Sequence, residues 1–200
     1  MADTRGLEVL TAAHGYLREV VAAVPAAAWG APTPCSEWTA RQVLNHARID
    51  QQGYGLAITG GRPDSDPFAP ADALAADPSA ELDEVLRMVA DAYAGLPVDA
   101  AEVPTPLGPM PLPAAAAAAA MDAAVHAWDI AVATGQDRPL TEELAEGIWP
   151  LAEQLVDHLR DSYRVFAPAI EIPDGSGRAE ALLAFLGRDP QWRQGVSRTA

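Results

Sequence analysis

Apolar residues recur at steps of three and four from the N-terminus: Leu7, Leu10, Ala13, Tyr16, Leu17, Val20, Val21 and Val24 form one stripe with polar positions between them. That period predicts an amphipathic helix, which Pro25 ends. Pro25 to Trp38 carries three prolines and a glycine and reads as irregular. A second stripe runs through Val43, Leu44 and Ala47 toward Leu56 and Ile58; Ser36 or Thr39 caps its start and Gly60-Gly61 stops it. Arg62 to Pro78, with four prolines and four aspartates, reads as a solvated loop. Ser79 is expected to open a third helix (Leu82, Val85, Leu86, Val89, Ala92, Tyr93), closed by Gly95 and Pro97.

Asp99 to Pro113 is a proline-punctuated link long enough to cross one end of a bundle. After Pro113, seven consecutive alanines start a fourth helix that runs through Val132 to about Gly135, and its small side chains let a neighbour approach closely. Thr141 caps a fifth helix reaching about Phe166, with Glu142 and Glu143 at its positive end. Pro150 is expected to kink or interrupt it. Ile170-Glu171-Ile172-Pro173 suits a short strand, and Arg178 to Leu186 a last short helix. The expected fold is therefore all-α: a four-helix bundle over residues 1–166 and a C-terminal extension, 167–200, packed on it.

Composition supports this pattern. The chain of 200 residues is 50% hydrophobic, and 43 of its residues are alanine, the strongest helix former. The net charge of −15 argues against a nucleic acid or an anionic membrane as partner. All 13 basic residues are Arg. Cys35 is the single cysteine, so neither an internal disulfide nor a thiolate cluster is available. In a proline-rich loop without a basic neighbour in sequence, it reads as a structural or incidental thiol. Met1 to Arg5 lacks the basic start and apolar run of a secretory leader, and the expected compartment is the cytoplasm. Monomeric and homodimeric assemblies both fit the pattern.

Candidate chemistry centres on the fourth helix. Asp122 and His126 are four residues apart, so their side chains stand one turn apart on one face. A carboxylate and an imidazole at that spacing can grip one metal ion, and equally can form a plain Asp–His pair. His46, beside Val43 and Leu44 on the second helix, is the best third ligand. Two imidazoles and a carboxylate suit zinc, iron(II) or nickel and leave positions open. Asp129 is either a carboxylate behind an imidazole or a surface partner; Asp50, one turn after His46, is a supporting carboxylate or a solvated residue. Trp38 and Trp128 read as packing anchors, and His14 and His158 as ordinary helix positions, with Asp157, Arg160 and Asp161 beside the latter as a solvated face.

The stretch Pro32-Thr33-Pro34-Cys35-Ser36-Glu37-Trp38-Thr39-Ala40-Arg41-Gln42-Val43-Leu44-Asn45-His46 resembles the signature of the DinB-like, mycothiol-dependent maleylpyruvate isomerase superfamily. Val125-His126-Ala127-Trp128-Asp129-Ile130-Ala131 through Thr134-Gly135 resembles its second histidine helix. Leu182-Leu183-Ala184-Phe185-Leu186-Gly187-Arg188-Asp189-Pro190 is similar to the tail of its short metal-binding branch. The resemblance implies a DinB-like four-helix bundle with a long crossover and a divalent metal, zinc foremost, on His46, Asp122 and His126. The chain departs from the isomerase pattern at Asp122, where that pattern has Glu. The implied activity is a metal-dependent S-transferase or isomerase using mycothiol, a small-molecule thiol, on a small electrophilic substrate. A hydrolase on the same site and a non-catalytic metal-binding protein are the alternatives. The family's isomerases carry a sizeable second domain, whereas few residues follow Phe166 here, so maleylpyruvate itself is not the expected substrate.

Overall fold

A computed structural model describes residues 5–97 and 100–194 of the chain. Met1 to Thr4, on which most of the leader argument rests, Asp99 at the start of the expected link, and the end of the extension lie outside the described residues.

Six α-helices form the fold: α1 Arg5–Ala22, α2 Ala40–Thr59, α3 Pro78–Ala94, α4 Leu112–Ala133, α5 Glu142–Tyr163 and α6 Arg178–Phe185. A 3-10 turn, Ala26–Ala28, follows α1. Among the described residues there is no strand, only two isolated bridges, Pro32 with Thr39 and Val103 with Met110. α4 is the central element, packed against α1, α2 and α5, while α3 leans on α2 and α1 and α6 on α5. Its alanines explain that position. Ala115, Ala116, Ala119, Ala120, Ala123 and Ala124 are buried on several faces, which lets helices pack on more than one side. α4 is also the one described helix long and apolar enough to cross a membrane, and 89% of that window is buried inside the protein, as a core helix requires. At the α1–α4 crossing, a Cβ on Gly6 would stand 2.7 Å from the Pro113 carbonyl oxygen, so only glycine permits the approach.

Helix ends follow their capping chemistry. Of the two candidate caps for α2, Thr39 holds the position, its backbone N–H donating to the Gln42 side chain at 3.0 Å, and Gly60 closes the helix at φ 83°. α3 is capped by Asp77 rather than opened at Ser79: the carboxylate accepts from Ala80 N–H at 3.0 Å, and Pro78 takes the first helical position. Thr141 caps α5, accepting from Leu144 N–H at 3.2 Å.

Four expectations need correction. α5 runs unbroken through Pro150. Pro150 and Glu146 are both exposed, so the carbonyl that loses its donor faces water, while Leu144, Ile148, Leu151 and Ala152 keep the buried side packed. The same helix stops at Tyr163, ahead of Phe166, with Arg164 in the left-handed region at φ 57°. Residues 170–173 form no strand, because none of the described residues offers a second strand to pair with; Ile170 N–H donates instead to the Ala184 carbonyl of α6 at 2.9 Å. Arg160 is not a solvated bystander either: it donates to the Ala167 and Phe185 carbonyls and to Asp157, tying the segment after α5 to α6.

Candidate metal centre

The Thr39 cap starts α2 so that His46 falls two turns inside it, facing α4. α4 brings Asp122, His126 and Asp129 to the same side at one-turn steps. His46 and His126 are both buried, their rings 4.6 Å apart and edge-on. Asp122 Oδ1 stands 3.8 Å from His46 Nε2 and 3.6 Å from His126 Nε2. Residues from two helices thus converge on one point.

The opposite ring nitrogens determine what those Nε2 atoms offer. His46 Nδ1 lies 2.9 Å from the Pro67 carbonyl, which can only accept, so Nδ1 carries the hydrogen. His126 Nδ1 lies 3.0 Å from Asp129 Oδ2, and burial pushes this imidazole down to about 4, so the neutral ring also donates from Nδ1. His126 Nε2 therefore presents a lone pair toward Asp122, and His46 Nε2 faces the same carboxylate. Full burial opposes ionisation of Asp129, but the Arg188 guanidinium and His126 outweigh it and hold the carboxyl down at about 2. Asp122 has the reverse balance: burial and the neighbouring Asp50 carboxylate raise it well above the usual range.

Asp122 Oδ1 stands too far from either Nε2 for a hydrogen bond, and the three facing atoms lie within 4.8 Å of one another. Ligands about 2.0–2.1 Å from a tetrahedral zinc stand about 3.3 Å apart. The two distances from Asp122 Oδ1 exceed that by only a few tenths of an ångström, and two imidazole nitrogens with a carboxylate oxygen are a donor set that fits a divalent ion. Asp50 joins the edge of the group, its Oδ2 3.4 Å from His46 Nε2, and burial raises its carboxyl as well. Trp38 packs 4.6 Å from the His46 ring and the 60% exposed Phe68 ring 5.9 Å from it, so two aromatic faces flank the centre. Two surface clefts, of about 300 and 270 Å³, share no lining residue with it.

Cys35, His126 and Asp129 form a second set of potential ligand atoms. There His126 would have to use Nδ1, which already serves Asp129. The Arg188 guanidinium also stands 3.1 Å from Cys35 Sγ and 3.2 Å from Asp129 Oδ2, so a positive charge already occupies the position a cation would take. Arg188 is the basic partner that Cys35 lacked in sequence. Burial and Asp129 nevertheless push the thiol up, and it donates to Asp129 Oδ2 at 3.2 Å.

Two further residues belong to the centre. Gln51, fully enclosed, donates to Asp122 Oδ2 at 2.8 Å and to the Ala119 carbonyl at 2.9 Å. Its own carbonyl accepts from His14 Nε2 at 2.8 Å, and burial pushes His14 down to about 4. His14 is thus a buried support rather than an ordinary helix position. The available signal was a polar residue inside an apolar stripe: His14 between Leu10 and Leu17, Gln51 in register with Val43 and Ala47.

Residues 10–131 match the family described as mycothiol maleylpyruvate isomerase N-terminal domain. The chain is 33% identical over 160 residues to "Uncharacterized protein MT0763" of Mycobacterium tuberculosis (strain CDC 1551 / Oshkosh), a match covering 80% of this chain and 84% of that one. The same identity and coverage hold for "Uncharacterized protein Rv0738" of Mycobacterium tuberculosis (strain ATCC 25618 / H37Rv). No solved structure matches the chain significantly. With the matched residues spanning both histidine helices and the all-helical fold that joins them, the chain belongs to the mycothiol maleylpyruvate isomerase N-terminal domain family.

Proposed function

We propose that the chain holds a divalent metal ion, zinc foremost, on His46, Asp122 and His126, and uses it in a mycothiol-dependent S-transfer or isomerisation of a small electrophilic substrate. One observation carries this reading: two imidazoles, each with its Nδ1 hydrogen committed elsewhere, turn their Nε2 atoms toward the same carboxylate oxygen. A bound divalent ion supplies Lewis acidity that favours the thiolate form of a thiol near neutral pH.

The protein's own groups do the rest. Gln51 takes Asp122 Oδ2 and leaves Oδ1 for the centre, which lets an aspartate serve where the isomerase pattern has the longer glutamate. Asp129 and the Pro67 carbonyl keep the two imidazoles in one tautomer. Trp38 and Phe68 offer apolar surface to a substrate beside His46. In this reading Asp50, at the edge of the centre, accepts the proton of the incoming thiol.

The test has two stages. Purified protein reconstituted with zinc is expected to hold about one ion per chain and to lose it on His126→Ala. Loaded protein is then assayed with mycothiol and activated alkenes or epoxides, and consumption of the thiol must vanish in the same variant while its far-ultraviolet spectrum is unchanged. The shorter Asp122 favours a second reading, a metal-binding protein without turnover, which is the conclusion if zinc binds and no electrophile reacts. Protein that binds no divalent ion at all refutes both.

A further inference from the structure

Arg188 follows α6, beyond the residues 10–131 that define the family domain, yet its side chain is buried against Asp129 of α4. The path that brings it there is specific. Leu182, Leu183 and Leu186 bury α6 in the core, and Gly187 turns the chain at φ 78°, where an added Cβ would meet the Ala167 carbonyl at 2.7 Å. The Arg188 N–H then closes back on the Leu183 carbonyl at 2.8 Å, a glycine C-cap that directs the following side chain inward.

The guanidinium is fixed at several points. One terminal nitrogen donates to the Leu186 carbonyl at 3.1 Å, and the other to Asp129 Oδ2 at 3.2 Å and Cys35 Sγ at 3.1 Å. Its Nε reaches Asp129 Oδ1 at 3.5 Å. Asp129 Oδ2 is the same atom that accepts from His126 Nδ1 at 3.0 Å. A single buried carboxylate therefore joins the C-terminal segment to one imidazole of the candidate metal centre.

We propose that Arg188 is a positioning residue for that centre: by holding both oxygens of Asp129 it fixes the plane of the carboxylate, and with it the tautomer and ring angle of His126. The inference rests on the metal-binding reading above. A direct role on substrate does not suit a side chain that is enclosed and committed to three partners. A purely structural cross-link is a weaker account, because the bond would then gain nothing from ending on the oxygen that orients a ligand. Without Arg188, Asp129 keeps, among the described residues, two neutral donors, His126 and Cys35, for a buried charge and is free to rotate away from His126.

The experiment uses the full chain with Arg188→Met and Arg188→Lys. Zinc affinity is read by competition with a chromophoric chelator, and ligand geometry by the visible absorption of the cobalt(II)-loaded protein. Arg188→Met is expected to weaken zinc binding roughly 10–100-fold, the range for removing a group that orients a metal-ligating histidine. Arg188→Lys keeps the charge but loses the fork across both oxygens, so it should fall between that variant and the parent. Both should shift the cobalt spectrum. A merely structural residue would lower the melting temperature and leave affinity and spectrum of the folded protein alone. Either variant, folded and with parental affinity and spectrum, overturns the proposal; if Arg188→Met does not fold, Arg188→Lys decides it. Parent protein that binds neither ion removes the metal reading itself, a failure seen before any variant is made.

Discussion

Replacing Gln51 by leucine tests the support beneath Asp122 most directly, because the side chain is fully enclosed and bridges three groups. The Ala119 carbonyl lies inside α4 and retains its helical partner, so two groups are orphaned: the His14 Nε2 hydrogen and Asp122 Oδ2. Each buried polar group left without a partner costs about 1–3 kcal/mol. The more apolar leucine offsets about 1 kcal/mol of that. The net loss is therefore about 3 kcal/mol, a large share of a domain stability of about 5–15 kcal/mol. For a chain of this size it corresponds to a fall in Tm of about 6–12 °C. Urea unfolding of the metal-free protein, with chelator present so that no ion masks the effect, measures it. The double variant with His14→Leu should lose less than the sum of the single changes by about 1–2 kcal/mol, since the two side chains share one bond. A Gln51→Leu protein within about 0.5 kcal/mol of the parent, the range of surface substitutions, or strict additivity in the cycle, would refute the network.

Three other outcomes follow from the same geometry. Zinc at a hundredfold excess over its dissociation constant should stabilise the folded chain by about 2.7 kcal/mol; a chelator should reverse the gain, and calorimetry of His46→Ala should show none. Burial holds His14 near 4, below the ordinary imidazole value of 6.5, so between those pH values the unfolded chain binds a proton that the folded chain refuses. Stability is accordingly present above pH 6.5 and lost as pH falls toward 4, by up to about 3 kcal/mol from this group; the raised carboxyls of Asp122 and Asp50 pull the other way, so the check is the difference between the two proteins: between pH 4 and 6.5 the slope of unfolding free energy against pH should be less positive in His14→Gln than in the parent. Gly6→Val drives a side chain into the Pro113 backbone and should cost about 1–3 kcal/mol by chemical denaturation, where a parental value would mean that α1 and α4 pack less closely than described.

Much of this architecture could be read from the chain because its helices announce themselves locally. The stripes of α1, α2 and α3 and the alanine run of α4 depend only on neighbours within a few turns, and each returned as a helix within a few residues of its expected ends. Ends were harder where two local devices competed: Asp77 with Pro78 outranks Ser79 as a start, and Pro150 does not end a helix whose buried side stays packed. The Ile170 segment failed for a nonlocal reason, since a strand exists only if another strand pairs with it.

The same division runs through the candidate centre. Asp122 and His126 share a helix face by arithmetic, and their approach to His46 needs only that α2 lie against α4. What holds those three residues in place comes from farther away: the His46 imidazole bonds a carbonyl 21 residues on, His14 meets Gln51 across 37 residues, and Arg188 reaches Asp129 across 59. None of these distances has a period that a sequence could display. What the sequence does display is the unpaired half of each contact. A histidine or glutamine set inside an apolar stripe cannot stay buried without a partner, so its position alone states that another element must deliver one. Arg188 carries no such mark, because it follows a helix instead of lying in its stripe, and only the turn at Gly187 sends it inward. Polar residues in apolar registers are therefore a sequence-level list of open bonds, and the chain segments that close them, here α1 and the stretch after α6, can belong to a functional site without contributing a single ligand to it.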